Sequence, residues 1–138
     1  MKFSTKTRYG IRTMLEIASD ETGNGILQKD IAERQELSIK YLDHIISALK
    51  AVGLINNVKG KKSGYQLSRK PAEISILDIH NAFENGICVI DCMSLNNNCN
   101  RSHKCKSQHF WRGLNNIVYD YFKNTSLADI MASEPDNF

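Results

Sequence analysis

Four cysteines crowd into eighteen residues of a 138-residue chain: Cys88, Cys92, Cys99 and Cys105. The last three form the pattern Cys92-x6-Cys99-x5-Cys105, followed by His109. Three thiolates at such spacing in a loop can wrap a metal centre. Zinc ribbons usually bring close pairs of cysteines, and that pairing is missing here. Reduced, partly exposed thiolates suit an iron–sulfur cluster, which four cysteines usually hold. Three cysteines then need a fourth ligand, for which His109, His103, Cys88 and Gln108 are candidates. Cys105 and His109 stand four residues apart at the expected start of a helix, hence on one face. Unligated thiols, a zinc site and a redox disulfide are the competing readings of the same cluster.

A second set of residues has the chemistry of polyanion binding. Residues 1–70 hold 13 Lys and Arg against 7 Asp and Glu, a net charge of +6. Residues 71–138 hold 5 against 8, a net charge of −3. A basic half joined to an acidic half suggests that the first half faces nucleic acid. Ser38, Lys40, Tyr41, Asp43 and His44 open a helical stretch and offer short polar or charged groups to base edges. Asp43 can accept from a cytosine amino group, Lys40 can reach a guanine edge or a phosphate, and Ser38 suits a phosphate at a helix N-terminus. Lys59, Lys61 and Lys62 flank glycines in a tight turn that can lie along a DNA backbone or in a minor groove. Lys6, Arg8 and Arg12 give the first helix a basic face. Each lysine alone is an ordinary solvated charge; their common placement carries the reading.

The elements that must position these groups are legible. Ser4 is an N-cap for a helix over 4–19, with Tyr9, Ile11, Met14, Leu15, Ile17 and Ala18 as its apolar stripe. The segment 20–25, DETGNG, is turn composition. A short helix over Gln28–Gln35 buries Ile31 and Ala32. After a brief turn Ser38 caps a helix from Ile39 to Val52 that buries Leu42, Ile45, Ile46, Leu49 and Val52, with Gly53 as its stop. Two helices across a short turn make a helix-turn-helix. Residues 54–58 and 65–67 form the strands of a basic hairpin, a wing. An amphipathic helix follows over 75–84, then a loop-like stretch over 86–104. A long helix from Lys106 to Lys123 carries Phe110, Trp111, Leu114, Ile117, Val118, Tyr121 and Phe122 on one wide face. Its own chain offers that face too little partner surface, which points to a homodimer. Leu127, Ile130 and Met131 add a last helical turn.

The fold class expected is mainly α with a small β-hairpin wing. Residues 1–70 form a winged helix-turn-helix DNA-binding domain, and 71–138 a cluster-binding loop and dimerisation-helix region. No apolar run reaches the length of a transmembrane helix, and the opening MKFSTKTRYG lacks the apolar core of a signal peptide. A cytoplasmic location with reduced cysteines follows. A thiol-redox enzyme needs a paired reactive cysteine, but there is no C-x-x-C and Cys88-x3-Cys92 is a poor substitute.

The stretches MKFSTKTRYGIRTMLEIA, LSIKYLDHIISALKAVGLINNVKGKKSGYQL and CKSQHFWRGLNNIVYDYFKNTSLADI resemble the first helix, the recognition helix with wing, and the cluster loop, dimer helix and tail of the IscR/NsrR-like winged-helix transcription regulators, the Rrf-two family. The resemblance covers nearly the whole chain. It implies a homodimer on a palindromic double-stranded DNA operator, away from any membrane, acting in transcription as a repressor. It also implies a [2Fe-2S] or [4Fe-4S] cluster on Cys92, Cys99 and Cys105 plus one other ligand. Where the IscR type has a ligating histidine this chain has Gln108, with His109 one residue later. Where the NsrR type has a carboxylate it has Arg8. Asp43 stands at the position of a base-reading glutamate, and Lys59 at that of a wing arginine. The resemblance admits cluster-free repressors of the same scaffold, controlled by thiol oxidation, zinc or a protein partner.

Overall fold

A computed structural model describes residues 2–60, 63–94 and 99–135. The helices are α1 (Thr5–Ala18), α2 (Gln28–Gln35), α3 (Ile39–Ala51), α4 (Ile76–Asn81), α5 (Ser107–Asn124) and α6 (Leu127–Met131). Strands β1 (Ile55–Asn57) and β2 (Tyr65–Leu67) pair antiparallel, with Ile55 opposite Leu67 and Asn57 opposite Tyr65. Short 3-10 turns occupy Pro71–Glu73 and Asp91–Met93. The mainly helical, winged helix-turn-helix expected from the sequence is the fold observed.

The caps follow from local chemistry. The Ser4 hydroxyl accepts from the Thr7 amide at 3.2 Å and the Ser38 hydroxyl from the Tyr41 amide at 3.1 Å, each satisfying an orphan donor of a first helical turn. Gly53, at φ +76°, ends α3. Its amide and that of Leu54 return to the carbonyls of Lys50 and Leu49, both at 3.0 Å. Val52 was expected inside; it is 50% exposed, because α3 stops at Ala51 and Val52 is the cap.

The face that α1 buries differs from its apolar stripe. Thr7, Gly10 and Thr13 are buried with Met14 and Ile17, while Tyr9, Ile11, Leu15 and Ala18 pack half-buried at the margin. There is no room for a side chain at Gly10. A Cβ on Gly10 would lie 2.4 Å from the Phe83 ring, so the side chain following α4 presses directly on the α1 backbone. The α4 helix ends at Asn81, short of the expected residue 84. The chain turns back through Gly86, whose carbonyl accepts from His80 Nε2 at 2.8 Å. That bond places the hydrogen on Nε2, so in the neutral ring Nδ1 accepts from the Thr7 hydroxyl at 3.1 Å.

The wing is held by more than its own ladder. Ile26, just before α2, pairs with Tyr65 through two backbone hydrogen bonds of 3.0 and 2.8 Å. Backbone meets backbone at this point. A Cβ on Gly64 would sit 2.6 Å from the Gly25 carbonyl carbon, and Gly25 itself has φ +77°. Only glycine fits either position.

One core runs across residue 70. Met14, Ile31, Leu42, Ile45 and Leu49 share it with Ile74, Ile76, Ile79 and Leu127. The tail is clasped to the start of α4: the Ile76 amide donates to Thr125 at 2.9 Å and the Leu127 amide to Ile74 at 2.8 Å. Reciprocal caps, Ser75 with Asp78 and Ser126 with Asp129, start the helices on each side of the clasp. Leu127 is fully buried. Among the described residues no helix is long and apolar enough to cross a membrane.

Two substitutions check this packing. Leu127→Ala should cost about 2–5 kcal/mol in denaturant unfolding, the usual range for emptying a core leucine site. The buried Thr13 hydroxyl has no hydrogen-bond partner among the described residues. Thr13→Val should therefore raise stability by roughly 1 kcal/mol, since the near-isosteric change removes an unsatisfied polar group.

Candidate nucleic-acid interface and cysteine loop

The N-terminal half of α3 stands in solvent. Ser38, Ile39, Lys40, Asp43 and His44 are exposed, while Leu42, Ile45, Ile46 and Leu49 on the opposite side lock the helix to the core. That division is what a groove-reading helix needs: a rigid apolar back and a polar front. Ser38 spends one acceptor on its cap. The Tyr41 ring is half-buried, edge to face with Tyr9 at 5.7 Å.

Beside α3, the wing presents Lys59 exposed, with its backbone amide bound to the Ser63 hydroxyl at 2.8 Å. Ser63 in turn donates to Gly60 at 2.8 Å, which closes the tip. Lys61 and Lys62 lie outside the described residues. Lys50 joins α3 to the wing, donating to Asn57 at 3.1 Å.

On α1, Lys6 and Arg8 are exposed. Arg12 is engaged: its guanidinium donates to the Gln35 side chain and carbonyl, each at 2.6 Å, and lies 4.8 Å from the Tyr9 ring centroid. Gln35 donates to Glu16 at 2.6 Å, and Arg34 pairs with the same carboxylate at 3.5 Å. This network ties α1 to the end of α2, where Glu36 adopts φ 54° to make the turn into Ser38. Arg12 thus braces the helix-turn-helix from behind. No local pattern marks this bracing role, because the partner lies 23 residues away. A second unanticipated residue is Gln28, whose side-chain amide donates to the Asp43 carboxylate and to the Ile39 carbonyl at 3.4 Å.

The cysteines are all free thiols. Cys92 sits in the 3-10 turn, Cys99 follows the undescribed residues 95–98, and Cys105 lies just ahead of α5, all three half-buried. Cys88 is exposed, its thiol donating to Ile90 at 3.0 Å. Because α5 begins at Ser107, His109 falls in its first turn and Cys105 outside it. The cap residue Lys106 is itself in the right-handed helical conformation, and the Gln108 amide donates to the Cys105 carbonyl at 3.3 Å, so the first turn reaches back to Cys105. Among the described residues no three His, Cys, Asp or Glu side chains converge as a metal site. The donor chemistry nonetheless fits a soft centre. The Cys105 thiol is held below its ordinary pKa, first by a hydrogen bond with the Ser107 hydroxyl (3.1 Å), then by the amides of Gln108 and Ser107 and by Arg101, against a partial desolvation.

The long helix α5 buries no residue fully. Phe110, Ile117 and Tyr121 are 64%, 68% and 70% exposed, and Gly113 between them has open space above it. Its other side is anchored, with Phe122 stacked on Phe3 at 5.0 Å and Asn115 accepting from the Val89 amide at 3.0 Å.

Cys105 chemistry can be read directly. A lowered pKa enlarges its thiolate fraction near neutral pH, so in metal-free protein Ser107→Ala should move the alkylation profile of Cys105 to higher pH. Its iodoacetamide rate at pH 7 should fall several-fold while that of Cys88 stays constant, as followed by peptide mass spectrometry.

Comparison with known proteins agrees with this geometry. Residues 3–133 match the family described as Rrf2, iron-dependent transcriptional regulator. The chain is 34% identical over 131 residues to protein rrf2 of Nitratidesulfovibrio vulgaris, covering 95% of this chain and 87% of the relative. The structure is similar to CymR, the global cysteine regulator of B. subtilis, with TM-score 0.78 and 27% identity over 98% of this chain and 99% of that one. It is also similar to T. potens IscR, with TM-score 0.75 and 27% identity over 99% and 94% of the two chains. The chain belongs to the Rrf2 family of transcriptional regulators, not to a class of enzymes.

Proposed function

We propose that the protein is a homodimeric repressor that binds a palindromic double-stranded operator and reports the state of an iron–sulfur cluster in its cysteine loop. The carrying observation is one of position. Cys105 lies two residues before α5, the helix whose Phe110, Ile117 and Tyr121 side chains stand unpartnered in solvent. A second copy of the chain covers such a face at low cost, since burying large apolar side chains stabilises association. Ligand binding at the loop therefore acts at the root of the dimer helix.

In this reading Ser38, Lys40, Tyr41, Asp43 and His44 of α3 face the major groove. Lys59, Lys61 and Lys62 of the wing and Arg8 of α1 face the backbone. Cys92, Cys99 and Cys105 hold the cluster, with His109 as the fourth ligand. The bound cluster supplies a centre that oxidants, nitric oxide or iron supply can alter. The chain does the rest: the Ser107 hydroxyl keeps Cys105 ready as a thiolate, and ordering of the loop shifts the dimer helix. Such a shift resets the spacing between two recognition helices, which must match adjacent major grooves.

A cluster-free repressor, governed by thiol oxidation, zinc or a protein partner, is the second reading. It is favoured by Gln108, which stands where the resemblance expects a ligating histidine, and by the similarity to CymR, the global cysteine regulator of B. subtilis.

Anaerobic purification with visible absorption and iron and acid-labile sulfide content separates the two. The cluster reading expects a coloured protein that loses its iron in Cys92→Ala, Cys99→Ala and Cys105→Ala; a colourless protein that resists reconstitution establishes the second. Ile117→Glu should convert the dimer to a folded monomer in sedimentation analysis, with operator affinity lowered at least tenfold. Lys59→Ala should weaken binding to all sequences and shallow the dependence on salt by about one counterion.

A further inference from the structure

Gln28 is the first residue of α2, and Asp43 lies in the second turn of α3, fifteen residues away. Across the helix-turn-helix the Gln28 carboxamide donates to Asp43 Oδ1 and to the Ile39 carbonyl. Ile39 and Asp43 are four residues apart, so both acceptors belong to one turn of α3. The carboxamide must direct its NH2 toward them, because neither a carboxylate nor a carbonyl can donate. Asp43 is exposed, and among the described residues no side chain bonds its other oxygen, Oδ2.

An unrestrained aspartate on an exposed helix samples several orientations, and a bare carboxylate is repelled by DNA phosphates. Held by Gln28, it keeps a single orientation with one oxygen bound and one free. A free carboxylate oxygen only accepts. In the major groove it suits the exocyclic amino groups, N4 of cytosine or N6 of adenine. It is rejected by the acceptors of guanine and thymine.

We propose that Gln28 is a specificity-determining positioning residue: it fixes Asp43 so that the free oxygen selects an amino-bearing base at one operator position. This rests on the reading of α3 as the groove-binding helix, and it adds a residue outside α3 to the recognition code. Gln28 acts through Asp43 and touches no base.

The test uses the full-length protein. An operator is selected from a random duplex pool with the wild type. Anisotropy competition then measures affinity for each single base-pair substitution, with Gln28→Ala, Gln28→Glu, Asp43→Ala and the double variant. Gln28→Glu keeps the side chain's length but sets carboxylate against carboxylate. Both Gln28 variants should lose discrimination at the same base pair as Asp43→Ala, on the order of tenfold. The double variant should be no worse than Asp43→Ala alone. For Gln28→Ala, which changes no charge, non-specific affinity, salt slope and thermal unfolding should stay unchanged. A uniform loss at every sequence, or relaxation at a different base pair from Asp43→Ala, overturns the positioning role. Unchanged base preference in Asp43→Ala overturns the Asp43 assignment instead, and failure to select any operator overturns the DNA-binding reading itself.

Discussion

The structure depends on a backbone clasp between the residues before α4 and the residues before α6. Two hydrogen bonds, Ile76 to Thr125 and Leu127 to Ile74, bring the chain back to where it left the core. Leu127 seals the joint, fully buried beside α1 and α4. The stretch from the end of α4 to the end of α5 is therefore an excursion with both ends fixed to the core. That constraint lets α5 stand partly free while its C-terminal end stays anchored, with Phe122 stacked on Phe3.

On the other side of the core, α3 is set by a different economy. Its back is pure hydrophobic packing, and its start is fixed by a serine cap and the left-handed turn at Glu36. The bracing network of Arg12, Gln35 and Glu16 holds that turn from outside. Placing charged groups there, rather than burying them, keeps the cost of desolvation low while the geometry is retained. The front of α3 is then free to be polar. The same logic places Lys50 between α3 and the wing, where it donates to Asn57.

Local chemistry made much of this legible. Ser4, Ser38 and Gly53 mark helix ends because each supplies a bond or a conformation that few residues can. The Lys-Gly turn marks the wing in the same way. Contacts distant in sequence were not legible. Thr7, Gly10 and Thr13 look indifferent to burial, yet all three are buried, and the approach of Phe83 leaves no room for a side chain at Gly10. The Ile26–Tyr65 pairing, the Arg12–Gln35 bond and the Gln28–Asp43 bond join segments whose proximity only the fold creates. For the cysteines, residue type and spacing disclosed the soft chemistry. The helix expected from Lys106 begins at Ser107 with Lys106 as its cap, so Cys105 stands at its edge.

The clasp also bears on how such a chain can change over generations. With both ends of the excursion closed by the core, lengthening the stretch between them adds only a slowly growing entropy, about 0.6 kcal/mol for each doubling of a flexible loop. The cysteine-bearing loop can thus gain, lose or respace residues while the reader of DNA stays intact. The wing has no such latitude, since Gly25 and Gly64 meet backbone to backbone. One scaffold can in this way be refitted to new signals at one end while its grip on nucleic acid is inherited unchanged at the other.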